Sequence, residues 1–441
     1  MDLSAIVLQN PWWKDPLSIN GDRKVVTALN SNPQYLYPFK DENLLIIGPR
    51  QAGKTTFIKL AIRDLIINKK VNPKNIIFLS CDLVDNRDDI LRALLLFEEQ
   101  ADRKAVRYIF LDEISFVKDW NSLVLGLFNS GFLDNKRIYL TGSSSVSLLK
   151  ETFPGRDISK TVFLPLQFRE YFDVFYGKIP VNEEKVDLEN VRQTYERSLQ
   201  LMPYINDLNN ALSSYVITGG LLGPSFSFQS TRKDPLDSLF ETYRDASIGD
   251  VARLERSQRF FREILNALIA SYSSRISANS IARNTSIGSH KTVESYIELM
   301  EQLFLIRTFY LERDGKLMPR SNRKIYFVDP FIYRVLKLYS TGNPEYRENE
   351  VSKIIEGIVG IHLSNLSKNV CYQHTKSGKE VDFVINGVCI EVKWGNRDTR
   401  DLYCEKGYLL TRDAIPWLTA DKASIPTSIF LYMNSAMNPL R

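Results

Sequence analysis

The sequence has few of the residues and patterns that mark several large classes of protein. Its cysteines (Cys81, Cys371, Cys389, Cys404) are scattered and form no C-x-x-C pair, which argues against a disulfide framework and a zinc site. Three histidines are too few and too isolated for a metal cluster. No apolar run approaches the roughly 20 residues that cross a bilayer, and no signal-peptide pattern is present. We therefore expect a cytoplasmic protein without a membrane partner, whose chemistry depends on carboxylates, lysine and a hard metal ion.

The length and charge of the chain leave room for several domains and for a nucleic-acid partner. A chain of 441 residues is too long for one hydrophobic core. The hydrophobic fraction of 44% is ordinary for a globular protein. The net charge of +5 is mildly basic, which is compatible with DNA binding without requiring it.

Short buried strands alternate with helical patterns in the first part of the chain. The helical patterns are Thr55–Lys69 and Trp120–Phe128. This alternation predicts an α/β fold with a parallel sheet and crossover helices. The expected strands are Leu44–Ile47, Asn75–Cys81, Tyr108–Leu111, Arg137–Leu140 and Thr161–Leu164.

A phosphate-binding loop follows the first of these strands and opens a helix, which is the structural context that the motif G-x-x-x-x-G-K-[ST] requires. Its backbone N–H groups and the helix N-terminus favour phosphate. Lys54 would reach the β- and γ-phosphates of ATP, and Thr55 would ligate Mg²⁺. The expected nucleotide-binding residues are Gly48, Pro49, Arg50, Gln51, Ala52, Gly53, Lys54, Thr55 and Thr56.

Two acidic residues end the buried strand of YIFLDE. Asp112 would hold Mg²⁺ through water, and Glu113 would polarise the attacking water. Together with Lys54, these carboxylates lead to the hypothesis of ATP hydrolysis.

At this point the sequence resembles the AAA+ ATPases, in particular a group common in archaea. The resemblance covers roughly residues 10–224 and includes Asn10–Trp13, Thr141–Ser144, Pro154–Arg156 and Pro165–Tyr171. It implies that Ser143 or Ser144 is the polar sensor beside the γ-phosphate. It also implies that Arg156 is an arginine finger acting on a neighbouring subunit, so the protein would be a homo-oligomer. The alternatives stay open: these serines could be a helix cap, and Arg156 an ordinary surface residue.

A compact helical block follows between residues 257 and 302, and the stretch 277–306 has a helix-turn-helix rhythm. The segment Ile306–Met318, with Asp314-Gly315 at its turn, would form the wing of a winged helix. The block could bind DNA, with the second helix in the major groove, or serve packing and subunit contacts. Its second helix is only weakly basic. The cations of the wing and its continuation could hold phosphates, and they are Arg313, Lys316, Arg320, Arg323 and Lys324.

Charged and apolar residues alternate on both sides of Asn386-Gly387 near the C-terminus, which predicts a two-residue β-hairpin. The turn sets a register in which Asp382 faces Glu391, with Lys393 on the same outward face. A like-charge pair costs stability unless a divalent cation bridges it. The expected apolar face comprises Val381, Phe383, Ile385, Val388, Ile390 and Val392.

This arrangement resembles the PD-(D/E)xK, restriction-endonuclease-like nucleases over residues 351–432, with further strands at Tyr408–Thr411 and Ile429–Tyr432. The resemblance implies that Asp382 and Glu391 bind Mg²⁺ or Mn²⁺ and that Lys393 is catalytic. Glu356, in an apolar helical run, is the candidate for the additional metal ligand. A retained fold without activity is the alternative.

The sequence therefore predicts a multidomain α/β protein in which ATP binding and hydrolysis are coupled to DNA binding and metal-dependent DNA cleavage. The competing interpretation is an ATP-operated signalling or scaffold protein with a non-cutting nuclease-like domain. The expected divisions are an N-terminal segment (1–35), an AAA+ core (36–168), a helical lid (169–253), a winged helix (254–332) and a nuclease-like domain (333–441).

Overall fold

The computed structural model describes residues 2–31, 40–143, 153, 155–181, 186–347, 349–375, 378–394, 402, 404–413 and 415–435. The chain divides into two compact units, Met1–Leu164 and Pro165–Met437. No helix among the described residues is long and apolar enough to cross a membrane.

The first unit contains a parallel five-stranded sheet, as the strand–helix alternation predicts. Its strand order is β2-β3-β4-β1-β5. The strands are β1 (Leu44–Ile47), β2 (Ile76–Ser80), β3 (Arg107–Asp112), β4 (Lys136–Gly142) and β5 (Ser159–Val162). The helices are α1 (Leu3–Gln9), α2 (Arg23–Ser31), α3 (Lys54–Arg63), α4 (Arg87–Gln100) and α5 (Trp120–Asn129). Parallel strands end at the same edge of a sheet, so the residues after β1, β3 and β4 meet there.

The N-terminal segment that carries Asn10 and two tryptophans covers the edge strand β2. The side chain of Asn10 donates to Phe78 O at 2.9 Å and accepts from Phe78 N at 2.6 Å. The indoles of Trp12 and Trp13 both donate to Ile76 O, at 3.2 and 2.8 Å. These side chains pair backbone groups that an open sheet edge would leave exposed. The motif therefore has a structural role.

The second unit begins with five helices, and the division of this region as a lid stays a prediction. The segment TGGLLGP is a loop at residues 219–221, because one helix ends at Thr218 and the next begins at Leu222 and includes Pro224 in its first turn. Proline is tolerated there since its missing N–H has no intrahelical partner. The first five helices are α6 (Phe168–Phe175), α7 (Val191–Leu201), α8 (Ile205–Thr218), α9 (Leu222–Thr231) and α10 (Leu236–Arg253).

Residues 257–302 form three helices, α11 (Gln258–Ala270), α12 (Ala278–Arg283) and α13 (His290–Gln302). The next strands are β6 (Ile306–Phe309), β7 (Leu311–Arg313), β8 (Lys316–Met318) and β9 (Lys324–Phe327). The expectation of one hairpin over Ile306–Met318 is wrong, because β6 pairs with β9 and only β7 pairs with β8. The Asp314-Gly315 turn is confirmed, with φ of 50° and 72°.

Strands β7 and β8 join a large C-terminal sheet. Its order is β14-β15-β13-β12-β11-β10-β7-β8. The proposed boundary after residue 332 falls within helix α14 (Pro330–Thr341), which is followed by α15 (Glu350–Leu366). The remaining strands are β10 (Val370–His374), β11 (Glu380–Ile385), β12 (Val388–Lys393), β13 (Gly407–Thr411), β14 (Trp417–Thr419) and β15 (Lys422–Pro426).

Two further expectations about the C-terminal region are wrong. Ile429–Tyr432 is not a strand, because it lies in helix α16 (Thr427–Met433). A short apolar run does not distinguish a buried strand from a buried helix. The cysteines are not all unpaired, since Cys389 and Cys404 form a disulfide across 15 positions of sequence.

Candidate functional sites: the phosphate loop and the C-terminal carboxylate cluster

The phosphate loop has the backbone that its glycines allow. Gly53 has a φ of 107° and precedes α3 directly. Gly48 lies against β5, where a Cβ atom would stand 2.1 Å from Phe163 O. A side chain at either position would displace the backbone around the phosphate site. Arg50 packs its guanidinium over the ring of Phe116 at 5.2 Å.

Lys54 is buried in the loop with weak acceptors for its ammonium group. Its Nζ donates to Gly48 O at 2.9 Å and to Pro49 O at 3.0 Å. The nearest carboxylate oxygen, Oε1 of Glu113, is 3.5 Å away. Burial lowers the pKa of Lys54, while Glu113 and Asp112 oppose that shift. An incoming phosphate would therefore offer this ammonium better partners than the loop does.

Asp112, at the end of β3, accepts hydrogen bonds from one hydroxyl group of α3 and one of β4. Thr55 Oγ1 donates to its Oδ2 at 2.7 Å, and Thr141 Oγ1 donates to its Oδ1 at 2.5 Å. Burial raises the pKa of Asp112, and the two hydroxyls oppose the shift. A threonine hydroxyl beside a carboxylate is an oxygen donor set that suits Mg²⁺. The residues present therefore fit a nucleotide-bound Mg²⁺. Thr141, to which the sequence assigned no individual role, orients the carboxylate.

Glu113 stands next to Asp112 with a φ of 55°, a conformation that few non-glycine residues adopt. Its backbone N–H donates to Thr141 Oγ1 at 2.9 Å, and its Oε2 accepts from Ser143 N at 3.0 Å. The predicted sensor Ser143 thus contacts Glu113 through its backbone. Ser144 lies outside the described residues.

Arg156, the expected arginine finger, is exposed in the first unit. Its guanidinium contacts the side-chain amide of Asn129 and, more weakly, Gly155 O. Within the described part of the chain, nothing places it beside the phosphate loop of the same chain. Its role in a neighbouring subunit stays a prediction.

The C-terminal hairpin has the predicted turn, and its ladder has the predicted register over the three pairs nearest the turn but does not include the predicted pair Asp382–Glu391. Asn386 and Gly387 have φ of 50° and 77°, as a type I′ turn requires. The predicted pairs Phe383–Ile390, Val384–Cys389 and Ile385–Val388 are present.

A β-bulge in β11 changes which residues share a face. Cys371 pairs with Val384, but Gln373 pairs with Val381, so β11 contains one additional residue between the pairs. Val381 therefore packs with Val384 instead of sharing a face with Phe383. The expected strict alternation is wrong at this point, because a bulge leaves no trace in the apolar pattern.

The predicted outward carboxylates are in fact buried. Asp382 is 7% exposed and Glu391 is 1% exposed, whereas Lys393 remains exposed. The hairpin lies inside the eight-stranded sheet, and α15 packs against it. Asp382 Oδ2 accepts from Val392 N at 2.9 Å, so this carboxylate replaces a strand partner.

Lys324 of β9 lies among these carboxylates. Its Nζ contacts Glu380 at 2.7 Å, Glu356 at 3.0 Å and Asp382 at 3.3 Å. The residue is 0% exposed. Burial alone would lower the pKa of Lys324, but the three carboxylates raise it well above its ordinary value. We call Lys324, Glu356, Glu380, Asp382, Glu391 and Lys393 the carboxylate cluster.

The second lysine of the carboxylate cluster is less enclosed. Lys393 Nζ lies 3.1 Å from Glu391 Oε2 and 3.8 Å from Asp382 Oδ2. Glu391 Oε1 is buried without a hydrogen-bond partner. Burial and the neighbouring Asp382 raise the pKa of Glu391 to about 7. This carboxyl group therefore holds its proton more strongly than an exposed glutamate does.

The predicted metal ligands Glu356, Asp382 and Glu391 do not fit a divalent ion in this conformation. Lys324 stands between Glu356 and Asp382. No group of three His, Cys, Asp or Glu residues in the described part of the chain could hold a metal ion. The sequence predicts phosphate contacts for Lys324, because the carboxylates that it contacts lie 32 to 58 positions away and no local pattern reveals them.

The helix-turn-helix segment retains part of its expected basic surface. Arg313, Lys316 and Arg320 are exposed, as is Lys291 on α13. Arg323 is 6% exposed because it is paired with Glu294. Arg323 and Lys324 are therefore unavailable to a DNA backbone, contrary to expectation.

Comparison with known proteins identifies two domains. Residues 40–172 match the family described as "AAA domain", and residues 209–342 match a domain of unknown function, DUF8612. The first match, together with the geometry of the phosphate loop, supports an ATP-binding domain of the AAA type. The prediction of a P-loop ATPase core is confirmed at this level.

Relatives over longer stretches are distant. The uncharacterized protein MJ1544 of Methanocaldococcus jannaschii is 28% identical over 381 residues, which are 80% of this chain and 76% of that protein. Among solved structures, Cdc6p from Pyrobaculum aerophilum is 14% identical, over 77% of this chain and 97% of that one, with a TM-score of 0.24. AMPPCP-bound DnaA from Aquifex aeolicus is 15% identical, over 64% and 88%, with a TM-score of 0.25. At these scores, the two structures carry no argument about function.

Proposed function

We propose that this protein hydrolyses ATP at its phosphate loop. The observation that carries the proposal is the Asp112 carboxylate held between the hydroxyls of Thr55 and Thr141, with Glu113 beside Lys54. Mg²⁺ would neutralise phosphate charge when bound with ATP. Thr55 and Asp112 would hold this ion, and Lys54 would exchange its carbonyl partners for phosphate oxygens. Glu113 would orient the attacking water.

The hydrolysis proposal is tested with Glu113→Gln, which keeps the shape of the side chain and removes its charge. We expect ATP binding to persist and turnover to fall by at least 10²-fold, the scale of a lost general base. Glu99→Gln is the matched control, since Glu99 is exposed on the neighbouring helix α4. Unchanged turnover in Glu113→Gln would reject the assignment.

Arg156 provides a way to test assembly under the same proposal. If it acts on the neighbouring subunit, Lys54→Ala and Arg156→Ala proteins should each be inactive alone. Mixing them would restore part of the turnover, because one interface would contain an intact loop and an intact finger. No recovery in a mixture that demonstrably exchanges subunits would assign Arg156 to the surface.

DNA binding is the second part of the proposal, and the exposed cations of the β7–β8 hairpin support it. Replacing Arg313, Lys316 and Arg320 by alanine should weaken DNA binding and reduce its salt dependence, because fewer phosphate contacts release fewer counterions. The matched control replaces three exposed cations of the first unit, Lys74, Arg87 and Arg103. Equal loss in both triple variants would favour the scaffold interpretation.

The C-terminal domain has two candidate functions, metal-dependent DNA cleavage and a non-cutting role. The hairpin that brings Asp382, Glu391 and Lys393 together supports a nuclease-like domain, and metal-dependent cleavage stays a prediction of the sequence. The position of Lys324 favours the non-cutting form. Incubation with single-stranded, double-stranded and branched DNA in Mg²⁺ or Mn²⁺ separates them: cutting that disappears in Asp382→Ala and Lys393→Ala supports a nuclease.

A further inference from the structure

We infer that the ammonium group of Lys324 is the resident cation of the carboxylate cluster and that it excludes a divalent metal ion from it. The inference rests on the proposed nuclease-like arrangement of Asp382 and Glu391. It adds a residue from outside the hairpin, contributed by β9, which decides whether that arrangement can take a metal.

The contact distances are those of an ammonium site. The three oxygens nearest Lys324 Nζ lie at 2.7, 3.0 and 3.3 Å. Charge-assisted N–H···O bonds have roughly these lengths, whereas Mg²⁺ requires oxygen ligands at about 2.0–2.1 Å in octahedral geometry. A divalent ion among the same oxygens would also lie beside a positive charge. The two cations therefore compete for one position.

Lys324 cannot leave this position by a simple side-chain rotation. Its backbone is fixed in the ladder between β6 and β9, where it pairs with Phe309. The side chain is 1% exposed, and its Nζ lies 5.8 Å from the centre of the Phe383 ring. Removing the ammonium from the carboxylate cluster would require β9 to move away from the C-terminal sheet.

The other oxygens of these carboxylates are also engaged. Ser273 Oγ donates to Glu356 Oε2 at 3.0 Å, and Arg275 Nε lies 3.1 Å from Glu380 Oε2. Asp382 Oδ2 accepts from Val392 N. Of the buried oxygens of the carboxylate cluster, Glu391 Oε1 is the one without a partner among the residues that the structure describes. A single oxygen is too few for a metal that takes several oxygen ligands.

The test measures Mn²⁺ binding to full-length, nucleotide-free protein by electron paramagnetic resonance and by the shift of the thermal midpoint. Five proteins are compared: wild type, Asp382→Asn, Lys324→Met, Lys324→Met/Asp382→Asn and the control Lys368→Met, at an exposed lysine after α15. We expect Lys324→Met to gain one Mn²⁺ site that the second substitution removes, with at least 10-fold tighter binding than wild type. Of the proteins compared, only Lys324→Met should have a higher thermal unfolding midpoint in the presence of Mn²⁺.

Two outcomes would overturn the inference. One is an Mn²⁺ site in wild type that Asp382→Asn abolishes. The other is a folded Lys324→Met protein that gains no such site. If Lys324→Met folds poorly without metal, it is refolded with Mn²⁺, and failure of Mn²⁺ to restore folding also counts against the inference. The wild-type measurement requires no variant of Lys324.

Failure of the inference and failure of the nuclease proposal give different results. Wild-type cutting that depends on Mn²⁺ and Asp382 supports a nuclease and rejects the exclusion of metal by Lys324. An Mn²⁺ site gained in Lys324→Met without any DNA cutting supports the exclusion and rejects catalysis.

Discussion

The two units each bury a lysine beside carboxylates, and the two lysines differ in how well they are satisfied. Lys54 contacts two carbonyl oxygens, and its nearest carboxylate oxygen is at 3.5 Å. Lys324 contacts three carboxylates directly. Burial accordingly lowers the pKa of Lys54, whereas the three neighbouring carboxylates raise the pKa of Lys324.

The difference shows what distinguishes a binding cation from a structural one. A buried charge with weak partners has much to gain from an incoming anion. A buried charge already surrounded by opposite charges has nothing to gain, and removing it leaves its partners uncompensated. We expect Lys54 to act on a ligand and Lys324 to hold β9 against the C-terminal hairpin.

The largest expected effect is on stability. In metal-free and nucleotide-free buffer, Lys324→Met should lower the free energy of unfolding by about 3–5 kcal/mol, because three carboxylates, of which Asp382 is buried and two are partly buried, lose their shared cation. Lys54→Met should change it by less than about 1 kcal/mol, since it removes an ammonium with weak partners. Urea unfolding followed by circular dichroism measures both, with Lys368→Met as control. Equal losses of unfolding free energy in Lys324→Met and Lys54→Met would contradict the distinction between a structural and a ligand-binding lysine.

The second effect concerns ATP. Lys54→Met should weaken ATP binding by roughly 10- to 150-fold, the equivalent of about 1.5–3 kcal/mol for a hydrogen bond to a charged group. Lys324→Met should leave it unchanged wherever the protein is folded. Isothermal titration calorimetry with Mg²⁺-ATP makes the measurement, and exposed Lys74→Met is the matched control. Equal affinities of Lys54→Met and wild type for Mg²⁺-ATP would show that Lys54 does not contribute to ATP binding.

The phosphate site could be predicted from the sequence because its signals are local. The loop spans Gly48–Thr55, and the five strands around it occur within a few residues of their predicted positions. Asp112 and Glu113 follow a recognisable buried strand. The contact of Thr141 with Asp112 could not be predicted from local signals, because it depends on the parallel register of β3 and β4.

The carboxylate cluster could be predicted only in part, because its decisive contacts are long-range. The Asn386-Gly387 turn determined the register of its hairpin, but no local pattern reveals the bulge in β11. The burial of Asp382 follows from strands on both sides of the hairpin. Lys324 lies 58 positions from Asp382, so the sequence does not reveal their contact and predicts Lys324 to be one of several exposed cations.

The third effect is pH-dependent. The pKa of Glu391 is raised to about 7 in the folded protein, whereas an unfolded glutamate has a pKa near 4.5. Between these values the folded state binds more protons, so stability falls as the pH rises from about 4.5 to 7. Glu391→Gln should remove this loss, on the order of 3 kcal/mol at pH 8. Urea unfolding of both proteins from pH 4.5 to 8 measures it, and parallel profiles would contradict it.

The smallest expected effect distinguishes the two lysines of the carboxylate cluster. Lys393 is 45% exposed in its side chain, so water screens its pairs with Asp382 and Glu391. Lys393→Met should therefore cost less than about 1 kcal/mol of stability, as other exposed ion pairs do. Urea unfolding at pH 7 beside Lys324→Met makes the comparison, and Lys393→Arg should restore the wild-type value. A loss as large as that of Lys324→Met would mean that both ammonium groups, and not Lys324 alone, hold the carboxylates together.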